Sequence, residues 1–204
     1  MFDLVYFQVF LLCLLGAMSP GPSWVVIINN AIFKNRYHGI LTSLGHGIGI
    51  GIYALFAVLG IALVIKTDLF FFNTIRILSI FFLIYLGIKS ILSKDTLDFP
   101  EKDLNGGMAS FFQGLSISLL NPKIFIWFVA IYSQFMSVDN DVIFNIYLIF
   151  TASIVDALWY ILLTFLVTSS TAFRLIKSKA ILLQRFVGGV FILIAFVLLI
   201  QILL

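Results

Sequence analysis

The sequence predicts an all-α integral membrane protein: six transmembrane helices arranged as two inverted three-helix repeats, the first and fourth helices broken at prolines. Three observations carry this expectation. Of 204 residues, 62% are hydrophobic and only 10% charged, and the mean hydropathy is +1.18, whereas soluble domains carry about 25% charged residues. The apolar residues fall into six runs, each long enough for the roughly 20 residues that a bilayer requires. Proline recurs at Pro20 and Pro122, 102 residues apart in a chain of 204.

The first run, residues 4–33, is hydrocarbon except for Met18-Ser-Pro-Gly-Pro-Ser-Trp24 at its middle. An interior proline removes a backbone donor and clashes with the preceding turn, at about 3 kcal/mol in a regular helix. A break is therefore expected there. Asp3 stands where a signal peptide would be basic and the run is too long, so this span is expected to be retained. The second run, 39–65, carries Thr42, His46, Gly49 and Tyr53 at spacings of 4, 3 and 4, a faint polar stripe. Its Gly45-x-x-x-Gly49 and Gly47-x-x-x-Gly51 pairs predict close helix packing.

The third run, 70–92, closes repeat 1, about 1–92. Residues 93–109 are the one stretch expected to be a solvated linker, and repeat 2 follows at about 110–204 within a single transmembrane domain of 1–204. The fourth run, 110–136, repeats the break at Asn121-Pro122, with Lys123 just beyond. The fifth, 142–170, places Ser153, Asp156, Tyr160, Thr164 and Thr168 at spacings of 3, 4, 4 and 4, on one helical face. The sixth, 182–204, contains Gly188-Gly189, another expected point of close packing.

Charge gives an orientation. Lys34 and Arg36, then Lys89, Lys94 and Lys102, then Arg174, Lys177, Lys179 and Arg185 make nine of the 12 Lys and Arg, all at connections on one side. Lys66 is the clear basic residue of the other side. The positive-inside rule makes the nine-charge side cytoplasmic and both termini extracytoplasmic. The pI near 9.0 then reflects topology, and nucleic-acid binding is not expected. The single cysteine, Cys13, allows no intrachain disulfide and reads as a small buried apolar residue.

At the 102-residue offset Phe10 meets Phe112, Ser19 meets Asn121, and Gly39 meets Asp141. Three helices per half is an odd number, so the second half must enter the membrane inverted. Broken helices at corresponding positions of inverted repeats point to a transporter's binding site. Freed backbone groups must face protein or a water-filled cavity, and the half-helix after a break offers N–H groups and a positive dipole end suited to a carboxylate. Ser19, Pro20, Gly21, Pro22, Ser23, Asn121, Pro122 and Lys123 are thus candidate substrate-binding residues, with Trp24 and Trp127 near enough to line the site. Gly21 would let backbone approach a ligand closely.

Asp156 falls near mid-membrane, where a charged carboxylate costs about 2.5–3.5 kcal/mol on insertion scales. It is expected to face protein, either exchanging a proton during a cycle or tying helices together as a neutral acid. His46, the side-chain type that titrates nearest physiological pH, is the second candidate coupling residue; the alternative is a satisfied hydrogen-bonding histidine. Lys123 either pairs with Asp156 or donates to carbonyls freed by Pro122.

The run Ser19-Pro-Gly-Pro-Ser23, a short basic loop and Gly39-Ile-Leu-Thr-Ser-Leu-Gly-His-Gly-Ile-Gly49 resemble the first-half pattern of the LysE/RhtB family of bacterial amino-acid exporters. Phe112-Gln-Gly-Leu-Ser-Ile-Ser-Leu-Leu-Asn-Pro-Lys123 and Asp156-Ala-Leu-Trp-Tyr160 resemble its second half. The resemblance runs nearly end to end, with departures at Ser23 and at Tyr132-Ser133. It implies secondary active export of amino acids or close derivatives across the bacterial cytoplasmic (inner) membrane by proton antiport. The partners are then an amino acid and membrane lipids; no cofactor is called for, and a homo-oligomer is compatible.

Other classes fare worse. A membrane enzyme needs a nucleophile with its base, paired carboxylates or a metal cluster; there is no His-Glu-x-x-His, and only His38 and His46 are present. A thiol carrier needs two cysteines. Export of another small ion, such as a heavy-metal cation, on a similar fold is the alternative. Soft metals want thiolates or several imidazoles, and Cys13 with His46 is a meagre set, so no metal site is expected.

Overall fold

In the computed structural model of the chain, residues 2–93, 106–137 and 141–203 are described. They form helices α1 (Phe2–Met18), α2 (Pro22–Asn29, continued by a π-helical turn Asn30–Lys34), α3 (Arg36–Thr67), α4 (Leu69–Leu92), α5 (Gly107–Leu119), α6 (Pro122–Phe135), α7 (Val142–Val167) and α8 (Ser170–Leu203). Four helices are long and apolar enough to cross a membrane, and up to six spans result if each bent pair counts as one. The pairs are α1 with α2, bent by 68°, and α5 with α6, bent by 58°.

Both breaks fall at prolines, and Pro22 and Pro122 each open the following half-helix, a position where the missing N–H costs nothing. A break also strands carbonyls at the end of the preceding half-helix, which lipid cannot satisfy. Two aromatic donors meet them. The Trp24 indole donates to the Ala17 carbonyl at 3.1 Å, and the Tyr53 hydroxyl donates to the Leu119 carbonyl.

Helix α3 packs against α5 on one side and α7 on the other, and glycine sets both distances. A Cβ on Gly45 would fall on the Phe111 carbonyl of α5, and one on Gly114 of α5 would fall on the Thr42 carbonyl of α3. Gly47 and Gly51, two residues further round, bring α3 against Ala157 and Ser153 of α7, and Ser153 donates to the Gly47 carbonyl at 2.8 Å. The paired glycine spacings thus work as expected. Because the obstacle at Gly114 is backbone, Gly114→Val should separate α3 from α5 and cost about 1–3 kcal/mol. Thermal melting of the purified variant should show the loss; an unchanged midpoint would contradict this packing.

Polarity is distributed as in a protein dissolved in lipid. Phe56, Leu63, Phe70, Phe81, Leu158 and Phe196 lie on the outside, whereas Thr42, Ser43, His46, Ser110, Asp156 and Thr164 are buried. Three expectations need correction. The sixth membrane span, Ser178–Ile200, falls near the expected run, but the helix that carries it starts earlier, at Ser170, because only Thr168 and Ser169 interrupt α7 and no Pro or Gly follows until Gly188. Arg174, Lys179 and Arg185 therefore sit on a helix. Helix α5 begins at Gly107, so the expected linker is shorter than 93–109; residues 94–105, with Lys94 and Lys102, lie outside the described residues. Of Gly188-Gly189, only Gly188 approaches another helix, meeting Gly87 of α4; a Cβ on Gly189 would meet open space.

Candidate functional site

The two breaks lie against one cavity of about 70 Å³, space for several water molecules. The α1–α2 break contributes Ser19, Gly21, Pro22 and Ser23, and the α5–α6 break contributes Asn121 and Lys123. His46 of α3 and Asp156 of α7 complete the polar part of the wall. Pro20 does not line the cavity; its part is to shape the break. Gly21 is the N-cap of α2 with an extended backbone, and a Cβ there would meet no atom within 4 Å.

The coupling candidates meet directly. The His46 ring lies with Nδ1 2.6 Å from Asp156 Oδ2 and Nε2 2.8 Å from Ser23 Oγ. The Tyr160 ring stands edge-on to the imidazole at 4.8 Å between centroids. Helix α3 supplies the histidine, α7 the carboxylate and α2 the hydroxyl, so this chain of hydrogen bonds joins both halves of the sequence. With one proton on Nδ1, His46 donates to the carboxylate and accepts from Ser23; with a second proton on Nε2, it donates to the Ser23 oxygen instead. Both hydrogen-bonding patterns fit the same heavy-atom positions.

Lys123 meets neither partner considered from the sequence. Asp156 is taken by His46, the one ion pair among the described residues. The Lys123 ammonium instead donates to Ser19 Oγ at 3.3 Å, reaching from the start of α6 to the end of α1. Asn121 caps α6, its side chain accepting from the Lys123 backbone N–H at 3.1 Å, whereas the N-cap of α2 has no side-chain hydrogen bond. The α2 terminus is therefore the open one of the two.

Sequence reasoning missed much of the apolar wall. Ile50, Ile124, Phe128 and Phe191 line the cavity, and so does Cys13, which is buried as expected. Gly16 lies close against the Trp127 ring, and both also line the cavity. Trp24 is buried but turned back to α1, outside the cavity. The spacing of Cys13, Gly16 and Ser19 in steps of three was a readable signal for one face of α1. Phe191, one of 23 phenylalanines, carried none. Among the described residues there is no group of three or more His, Cys, Asp or Glu able to hold a metal ion.

Known proteins resemble this chain in sequence. The uncharacterized membrane protein YrhP of Bacillus subtilis (strain 168) is 29% identical over 161 residues, 72% of this chain and 76% of that protein. The leucine efflux proteins of Salmonella choleraesuis (strain SC-B67) and Salmonella typhi are 33% identical over 124 residues, 59% of this chain and 58% of theirs. The chain thus matches less than two thirds of the length of those leucine efflux proteins. No solved structure matches. The profile of the LysE type translocator matches residues 14–202, nearly the whole sequence, and the chain belongs to that family of membrane translocators.

Proposed function

We propose that the protein exports an amino acid or close derivative across the bacterial cytoplasmic membrane by proton antiport, with its two halves working as inverted three-helix repeats. The observation that carries this reading is the buried Ser23–His46–Asp156 chain on the wall of a cavity where both broken spans meet. A buried carboxylate in a membrane needs a compensating positive group. A proton shared with His46 supplies one, and the ammonium of an amino acid supplies another. Competition between the two for Asp156 is antiport: substrate binding releases the proton, and proton return from outside releases the substrate. The carboxylate end is received between the breaks, by the residues from Ser19 to Ser23 and from Asn121 to Lys123. Leucine efflux by the Salmonella relatives supports an amino acid as the cargo.

Intracellular amino-acid pools decide the matter. Cells with and without the protein, loaded with a mixture of dipeptides, should differ in the pool of the exported amino acid, and a protonophore should erase the difference. Identical pools across all amino acids would overturn the reading.

The loop charges support both termini outside and the 94–105 segment inside. In a Cys13→Ser background, Asp98→Cys should be shielded in intact cells from an impermeant thiol reagent and should label after permeabilisation. Labelling of intact cells at Asp98→Cys, with none at a cysteine placed at either terminus, would reverse the orientation.

A further inference from the structure

We propose that Lys123 and Ser19 form a carboxylate clamp, and that the cavity they serve selects amino acids with uncharged apolar side chains. This rests on the amino-acid reading above and assigns the atoms that hold the ligand.

The argument begins with charge. His46 and Asp156 satisfy each other, which leaves Lys123 as the cavity cation without an acidic partner among the described residues. Its ammonium is held by the neutral Ser19 hydroxyl at 3.3 Å. An ammonium has three donors and no acceptor, and a half-buried cation on a cavity wall whose hydrogen-bond partner is a neutral hydroxyl is left without an opposite charge. A ligand carboxylate provides it, and can accept from Ser19 as well. The α2 terminus, which has no side-chain cap, lines the same cavity through Gly21, Pro22 and Ser23 and favours the same charge.

The position adds a second reason. Ser19 follows the first half of one broken span and Lys123 lies in the first turn of the second half of the other, so a carboxylate between them touches both repeats at once. A group bound only at α2 would engage one.

Specificity follows from the remaining wall. Ile50, Ile124, Trp127, Phe128 and Phe191 surround the space with hydrocarbon and aromatic surface. A branched aliphatic side chain gains by burial there. The ammonium of a lysine side chain would find no second carboxylate, since Asp156 is the acidic residue of the wall, and would be buried unpaired.

Binding to the purified protein tests this without reference to transport. Radiolabelled leucine is displaced in turn by leucine, by isoamylamine, which is leucine without its carboxylate, and by lysine. Leucine should displace the label, while the amine and lysine should not. Lys123→Gln should weaken leucine binding about ten- to hundredfold, the loss expected for one charge-assisted contact; Lys123→Arg should recover part of it, and Ser19→Ala should show a smaller loss. Thermal melting identifies any variant that has lost its fold, and Ser19→Ala then carries the test. Unchanged affinity in both Lys123→Gln and Ser19→Ala, or displacement by isoamylamine as effective as by leucine, would overturn the clamp. No leucine binding by the parent protein, or equal displacement by lysine, would overturn the substrate class. Carboxylate-dependent binding without export in reconstituted vesicles would sink the exporter reading and leave the clamp standing, whereas leucine export with no effect of either variant would do the reverse.

Discussion

Asp156→Asn is expected to insert and fold like the parent chain and to export nothing in response to a pH gradient. The amide keeps the shape of the carboxyl and can still accept from His46 Nδ1, now 2.6 Å from Asp156 Oδ2. What it cannot do is hold a negative charge. Without that charge neither a shared proton nor a substrate ammonium is favoured at the site, and the competition between them disappears. The packing around the residue supports retention of the fold: α3 and α7 are held together by the Gly47–Ala157 contact and by the Ser153 bond to the Gly47 carbonyl, neither of which involves the carboxylate. In reconstituted vesicles with an imposed pH gradient, amino-acid movement by the variant should fall to the level of protein-free vesicles, while its melting midpoint stays close to that of the parent. Normal gradient-driven export by Asp156→Asn would reduce Asp156 to a group that ties α3 to α7.

The parts of this architecture that were legible in the sequence are those fixed by local chemistry. Pro20, Pro22 and Pro122 cannot continue a helix, so the two breaks were readable. The glycines of α3 lack a side chain at 45, 47, 49 and 51, which announced close neighbours on both sides. The polar stripe of α7 announced a buried face, and Asp156 is indeed buried. Partner choice was not legible. Lys123 was the partner considered for Asp156, yet His46 takes that place, and the choice depends on how α3, α6 and α7 are rotated about the cavity, which no spacing within one helix encodes. Trp24 teaches the same lesson. Its closeness to the break suggested a ligand contact, but the stranded Ala17 carbonyl needed a donor, and the indole meets that need first. The helical start of α8 at Ser170 was obscured by its charges, which read as a loop although nothing there terminates a helix.

Gly21→Leu should leave folding intact and abolish export. Gly21 stands at the entrance to α2 with φ −179° and ψ −166°, an extended conformation open to any residue, so the backbone does not require glycine. A Cβ there would meet no atom within 4 Å. The substitution therefore carries none of the cost that the same change would carry at Gly45 or Gly114, where backbone carbonyls stand in the way. What a leucine side chain would do is occupy space: Gly21 lines a cavity of about 70 Å³, and a buried leucine fills a comparable room with hydrocarbon. It would also cover the uncapped N–H groups that follow on α2. The expected result is normal expression, a melting midpoint equal to or above that of the parent, and no export or binding. Gly21→Ala, which adds one methyl group, should retain much of both. If the prolines only shaped the packing of α1 and α2, a side chain at this open position would change nothing. Export by Gly21→Leu at the parental rate would therefore remove the α1–α2 break from the substrate path.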